Sequence, residues 1–167
     1  MERSKNRDEL AYRALTAPWG PALDLFRFAG AWAPLPERVA SGWGTWDGPE
    51  LCGAVLAERA GSSAMLHRPV VVAPPNASPE AALEVADELL GRVLRDAPAE
   101  GIDTLFTRPQ GLDHIWVRHG FIPIPEALLP EGLRGRPGIG LFGWRGGTAL
   151  WSAAGRGAPR ARSLTPR

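Results

Sequence analysis

From Gly44 to Val72 the sequence runs in short alternating stretches broken at Asp47-Gly48-Pro49 and near Gly61-Ser62-Ser63, and at Ser78 the period switches to that of a helix. The first part predicts a three-strand antiparallel meander, with strands over Gly44–Trp46, Leu51–Ala57 and Met65–Val72. In the second, Ser78 supplies an N-cap, Pro79 a first helical position and Glu80 an acid in the first turn. Leu83, Ala86, Leu89, Leu90, Val93, Leu94 and Ala97 then recur at i, i+3, i+4, i+7, an apolar stripe that Pro98 ends. A meander and a one-faced helix each need a partner layer, so the chain is confined to sheets packed against helices.

The flanks fit the same plan. Tyr12–Thr16 reads as a strand, and Pro21–Ala33 as a helix with Ala22, Leu25, Phe26, Ala29 and Ala33 on one face and Gly30 in its interior. Pro36–Ala40 reads as a short second helix ended by Ser41–Gly44. Downstream lie a strand at Ile102–Thr107, a helix at Leu112–His119 closed by Gly120, an irregular strand at Phe121–Leu129 and a last strand at Gly138–Trp144. Pro69 cannot donate to a ladder, so the third meander strand is expected to be bulged or unpaired near its end. The order is β-α-α-β-β-β-α-β-α-β-β, an α+β fold with a mixed central sheet flanked by helices. Residues 1–10 are expected to be a flexible N-terminus, 11–145 the domain, and 146–167 a basic, disordered tail with few apolar anchors besides Leu150 and Trp151. Deleting everything after Gly147 should therefore leave the melting temperature nearly unchanged.

At 167 residues one core suffices, and no apolar run reaches the roughly 18–20 residues that cross a bilayer. No membrane association is expected, and the charged first ten residues lack a signal-peptide core, which points to the cytoplasm. Cys52 is the only cysteine, and the three histidines have no zinc spacing, so neither a disulfide nor a metal is expected. The net charge is +1, but Arg145, Arg156, Arg160, Arg162 and Arg167 follow Trp144 with no acid among them. Five isolated guanidiniums do not make a recognition module, so no specific nucleic-acid partner is expected. Gly138-Ile-Gly140 precedes a strand with no following helix and is no dinucleotide fingerprint. Trp19, Trp32, Trp43 and Trp46 read either as core packing or as an aromatic pocket for an apolar amine.

Three local segments resemble the GNAT acetyltransferase superfamily: Glu50-Leu-Cys-Gly53-Ala-Val, Val72-Ala-Pro74 and His114-Ile-Trp-Val-Arg-His-Gly120-Phe121. The element order resembles that superfamily too, over residues 11–145. The resemblance implies fourth and fifth strands that part to admit acetyl-CoA as co-substrate. The backbone of Val71, Val72 and Ala73 would hold the pantetheine arm, and Ser78 with Ala82 would mark the phosphate end. The family's phosphate-loop arginine and two glycines fall on Ala77, Glu80 and Ala82, and Glu80 brings a carboxylate to that end. Trp116 stands where many members carry an acidic tyrosine, and an indole N–H does not serve as a proton donor at neutral pH.

The implied function is N-acyl transfer of an acetyl or related acyl group from CoA to a small-molecule or peptide amine. The alternative is a non-catalytic GNAT-like domain that binds a small ligand or a protein. A base is needed for the amine, and Glu58, His67 and His119 are the candidates. The bland readings are exposed strand-end polar residues for Glu58 and His67, and helix closure for His119. A homodimer is compatible with either function.

Overall fold

A computed structural model of the chain describes residues 10–73, 76–108, 112–136 and 149–153. The meander is present and longer at its start than the alternation suggested: β1 (Ala11–Leu15), β2 (Val39–Asp47), β3 (Glu50–Ala60) and β4 (Ser63–Val71) pair antiparallel in that order. β4 then pairs in parallel with β5 (Thr104–Thr107), and with β6 (Ile122–Ile124) and β7 (Ala149–Ala153) the described residues form a seven-stranded sheet of order β1-β2-β3-β4-β5-β7-β6.

Two helices cover opposite faces. In α2 (Pro79–Asp96) the Ser78 hydroxyl accepts the Ala81 N–H at 3.2 Å, and Ala86, Leu89, Leu90, Val93 and Leu94 are buried against Val55 and Ala57 of β3 and Ala64 and Leu66 of β4. Pro98 does not stop the chain's coiling at once, since a 3-10 turn over Ala97–Glu100 follows. On the other face α1 (Gly20–Phe28) buries Ala22 and Phe26 against Ala54, Leu56 and Val70. Alternation along β3 accounts for this, because residues 54 and 56 face one way and 55 and 57 the other.

Several expectations need correction. α1 is shorter than predicted: Gly30 is no interior residue but takes φ +63° beyond the helix end, which leaves Ala29 and Ala33 outside. The predicted second helix is only a 3-10 turn, Pro36–Arg38, and Ser41–Gly44 belong to β2. Past α3 (Asp113–Arg118), closed by Gly120 at φ +85°, the predicted long strand is β6 (Ile122–Ile124), followed by a 3-10 turn at Glu126–Leu128. The strand expected at Gly138–Trp144 lies outside the described residues.

The expected disordered tail is corrected for one segment. Ala149–Ala153 form β7, inserted between β5 and β6 and antiparallel to both, with Ser152 buried. The domain therefore extends past the boundary placed at residue 145, and the expectation that deletion after Gly147 is harmless is corrected with it.

At the middle of the sheet the strands fork. β4 and β5 pair from Ser63–Thr104 to Leu66–Thr107 and no further, although β4 continues to Val71. The Thr107 hydroxyl donates to the Leu66 carbonyl at 3.0 Å, at the last shared pair. Beyond it Arg68 and Pro69 bulge opposite Val55, where the β3–β4 register shifts between Ala54 and Leu56. Pro69 thus falls where β5 has already left, and its missing N–H breaks no ladder there.

Candidate functional site

Glu58 and His67 sit diagonally across the β3–β4 hairpin, since Glu58 pairs with Met65 and His67 with Leu56. The pleat puts both on the α1 face, beside the fork. Both are buried, at 3% and 5% exposure, and His67 Nε2 lies 2.8 Å from Glu58 Oε2. Facing a carboxylate, Nε2 carries the proton and donates. That leaves Nδ1 as the acceptor of the neutral ring, and among the described residues it makes no hydrogen bond.

The carboxylate is held from a second side by Arg136, which the sequence analysis did not single out. Its Nε donates to Glu58 Oε2 and its Nη2 to Oε1, both at 2.7 Å, while Nη2 and Nη1 also donate to the carbonyls of Gly132 and Arg134. Arg136 comes from the irregular segment after β6, whose Leu129 and Leu133 pack on Met65 and Phe106. Nothing periodic marks that segment. A signal did exist for the Glu58–His67 pair, because a tight turn at Gly61-Ser62 fixes the register that makes the two residues neighbours.

Burial by itself would push the Glu58 carboxyl up. The hydrogen bonds and charge of His67 and Arg136 outweigh it and hold the group down at about 2. Glu58 is thus a fixed anion and a poor proton acceptor at neutral pH. The site's base is left to His67, whose tautomer the anion sets. Trp32, in the α1–β2 connection, tilts its ring against His67 with centroids 5.1 Å apart, and Arg38 Nη1 lies 3.9 Å from Glu58 Oε1.

The other predicted residues lie elsewhere. His119 is on the α2 face, with Nε2 2.8 Å from Asp87 Oδ1, and its partner is that helical carboxylate in place of the helix-end carbonyls. Trp116 is fully buried against Phe121 as a core aromatic. Trp43 is core, Trp19 packs beside α1, and Trp46 carries Arg13 over its ring at 4.1 Å, so of the four early tryptophans only Trp32 reaches the site. No group of three His, Cys, Asp or Glu side chains among the described residues is placed to hold a metal.

The residues expected to hold the co-substrate divide into two halves. Val72 N–H donates to Cys52 O at 2.8 Å, so alternation turns the Val71 N–H toward the edge that β5 has left, where an extended arm can add as a strand. That half fits a pantetheine arm. The phosphate half does not: Pro79 has no N–H, the Ala81 N–H is taken by Ser78, and Glu80 is exposed at the helix start. The adjoining shallow cleft, about 180 Å³, is lined by Glu80, Glu84, Leu83, His114, Ile115 and Arg118. Two carboxylates there oppose a pyrophosphate. Glu80→Gly is expected to tighten acetyl-CoA binding about tenfold in low-salt calorimetry, with the gain shrinking as salt rises. No change would place the obstacle elsewhere.

No family model matches the sequence, and no curated protein matches it. Solved structures do. An acetyltransferase of the GNAT family from Staphylococcus aureus superposes with TM-score 0.60 at 10% identity over 87% of this chain and 99% of its own. N-acetylglutamate synthase from Neisseria gonorrhoeae, complexed with coenzyme A and N-acetyl-glutamate, gives 0.63 at 16% identity over 89% of this chain, which spans 36% of that enzyme. An N-acetyltransferase from Staphylococcus aureus gives 0.55 at 11% identity, with 70% and 84% covered. At such identities the likeness is one of fold.

Proposed function

We propose that this chain, which has the GNAT fold, is an N-acyltransferase that moves an acyl group from a pantetheine thioester to an amine, with His67 as the base. The observation that carries this reading is a buried His67–Glu58 pair beside a fork in which β4 runs on without β5. The donor supplies an activated acyl carbon on sulfur. His67 Nδ1 takes the proton from the amine nitrogen, which bonds to the acyl carbon as the C–S bond breaks. Glu58, fixed by Arg136, holds the imidazole in the tautomer that can do so and stabilises it once protonated. Trp116 is too deeply buried and too weak an acid to protonate the leaving thiolate, so that proton comes from solvent.

Acetyl-CoA is the obvious donor, but the phosphate end makes the nucleotide a minor contributor. Thiol release from acetyl-CoA and from acetyl-pantetheine, each with a panel of primary amines, tests the reading. Amine-dependent release is expected from both thioesters, with kcat/KM within about tenfold of each other. His67→Gln keeps a donor toward Glu58 and loses the base, so kcat should fall at least about a hundredfold at unchanged melting temperature. Failure of either thioester to react with any amine, or an unaffected His67→Gln, would overturn it. The second reading, a ligand-binding domain without catalysis, is favoured by the closed phosphate end and would then stand. No helix among the described residues is long and apolar enough to cross a membrane, and a cytoplasmic location belongs to this proposal.

A further inference from the structure

The charges gathered around Glu58 do not balance. One carboxylate faces two guanidiniums, Arg136 bonded to it through two nitrogens and Arg38 at 3.9 Å, while the third neighbour is a histidine that is neutral when it acts as base. Arg136 is largely buried and its donors are spent on Glu58 and two carbonyls. Arg38 is different: its side chain is 55% exposed, its contact with Glu58 is too long for a hydrogen bond, and among the described residues it makes no other. Glu37, next to it in sequence, is exposed and forms no ion pair with it among those residues. The mouth of the site therefore carries one surplus positive charge.

At the same site lies an exposed aromatic ring. Trp32 covers one side of His67 yet remains 39% exposed. A large aromatic ring left partly in water at a site mouth has area to bury against a ligand. Arg38 and His67 approach the two different oxygens of one carboxylate, Oε1 and Oε2 of Glu58. An anion held by Arg38 and a nitrogen held by His67 thus fall within the span of one small molecule.

Resting on the acyltransferase reading, we infer that the acceptor is a primary amine bearing a carboxylate and an apolar or aromatic body, an apolar amino acid being the simplest case. Arg38 pairs with the carboxylate, Trp32 covers the body, and the amine nitrogen meets His67 Nδ1. Polyamines are the class this site rejects, since each further ammonium meets the surplus charge without a partner.

Matched probes separate the parts. Phenylalanine and phenethylamine share a body and differ in the carboxylate, alanine keeps the carboxylate without the ring, and spermidine has neither. Affinity is measured by calorimetry on the whole chain without a thioester, and KM by thiol release with one. Phenylalanine is expected to lead phenethylamine by at least about tenfold and spermidine by more. Arg38→Gln should narrow the first ratio to within about threefold, and Trp32→Ala should narrow the lead of phenylalanine over alanine. Preference for phenethylamine or spermidine, ratios that Arg38→Gln leaves intact, or no binding by any probe would overturn the inference. Selective binding of phenylalanine with no thiol release would instead overturn the acyltransferase reading and leave the ligand class standing.

Discussion

A chain cut after Thr148 is expected to lose its cooperative thermal unfolding transition. β7 has only five residues, yet four pair with β5 and three with β6. Without it, among the described residues β6 has no neighbour in the sheet, and β5, four residues long, hangs on β4 alone. Each ladder hydrogen bond contributes about 0.5–1.5 kcal/mol net, so losing several approaches the roughly 5–15 kcal/mol that separates folded from unfolded domains. The burial of Ser152 adds to the loss. Calorimetric melting of the shortened and full chains checks this. Ser152→Pro keeps the length but removes an N–H and adds a ring inside a two-sided strand, and should cost at least about 3 kcal/mol. Superimposable melts for all three would show that β7 contributes nothing.

The second large effect is at Glu58. Replacing it with glutamine leaves the Arg136 guanidinium, 14% exposed, without its anion, and breaking a buried pair from one side costs about 3–5 kcal/mol. The double variant Glu58→Leu with Arg136→Met removes both charges and should recover most of that loss in urea titrations. Acid gives an independent readout. The group is held at about 2 in the folded protein against an ordinary 4.5. Because its folded value is the lower one, the stabilisation is complete above about pH 4.5 and is lost as pH falls through about 2. The size is on the order of 3 kcal/mol. In Glu58→Gln that acid limb of the stability profile should flatten. An equally steep limb would assign the acid sensitivity to other carboxylates.

What the sequence disclosed depends on whether the deciding interactions are local. α2 was legible because cap, first-turn proline and apolar stripe lie within twenty residues and agree. The meander was legible through alternation and its turns. β2 was read short because Gly42 and Gly44 looked like breakers. In the sheet they are places where side chains cross the strand: a Cβ at Gly42 would stand 3.1 Å from Leu15 and one at Gly44 2.7 Å from Leu51. β7 was missed because its partners lie far back in sequence, those in β5 by more than forty positions and those in β6 by more than twenty, and nothing in Ala149–Ala153 itself advertises them. At the site, Glu58 and His67 were each weak signals whose meaning came from hairpin register. Arg136 reaches Glu58 from 78 positions away and could be found only in three dimensions.

The place of β7 in the sheet also fixes an order of assembly during synthesis. β1 to β4 with α1 and α2 are made of near neighbours and can consolidate as soon as they leave the ribosome. The half of the sheet beyond the fork cannot: β6 is finished by Ile124, yet among the described residues its only sheet partner is Ala149–Ala153, which joins it to β5. Closure is then a long-range event, the slowest kind for a chain to complete, and the bare edge of β5 is exposed for as long as it takes. The fork beside His67 is thus bounded by one strand that folds early and one that is secured last, so the site takes its final shape only after nearly all of the described chain has been made.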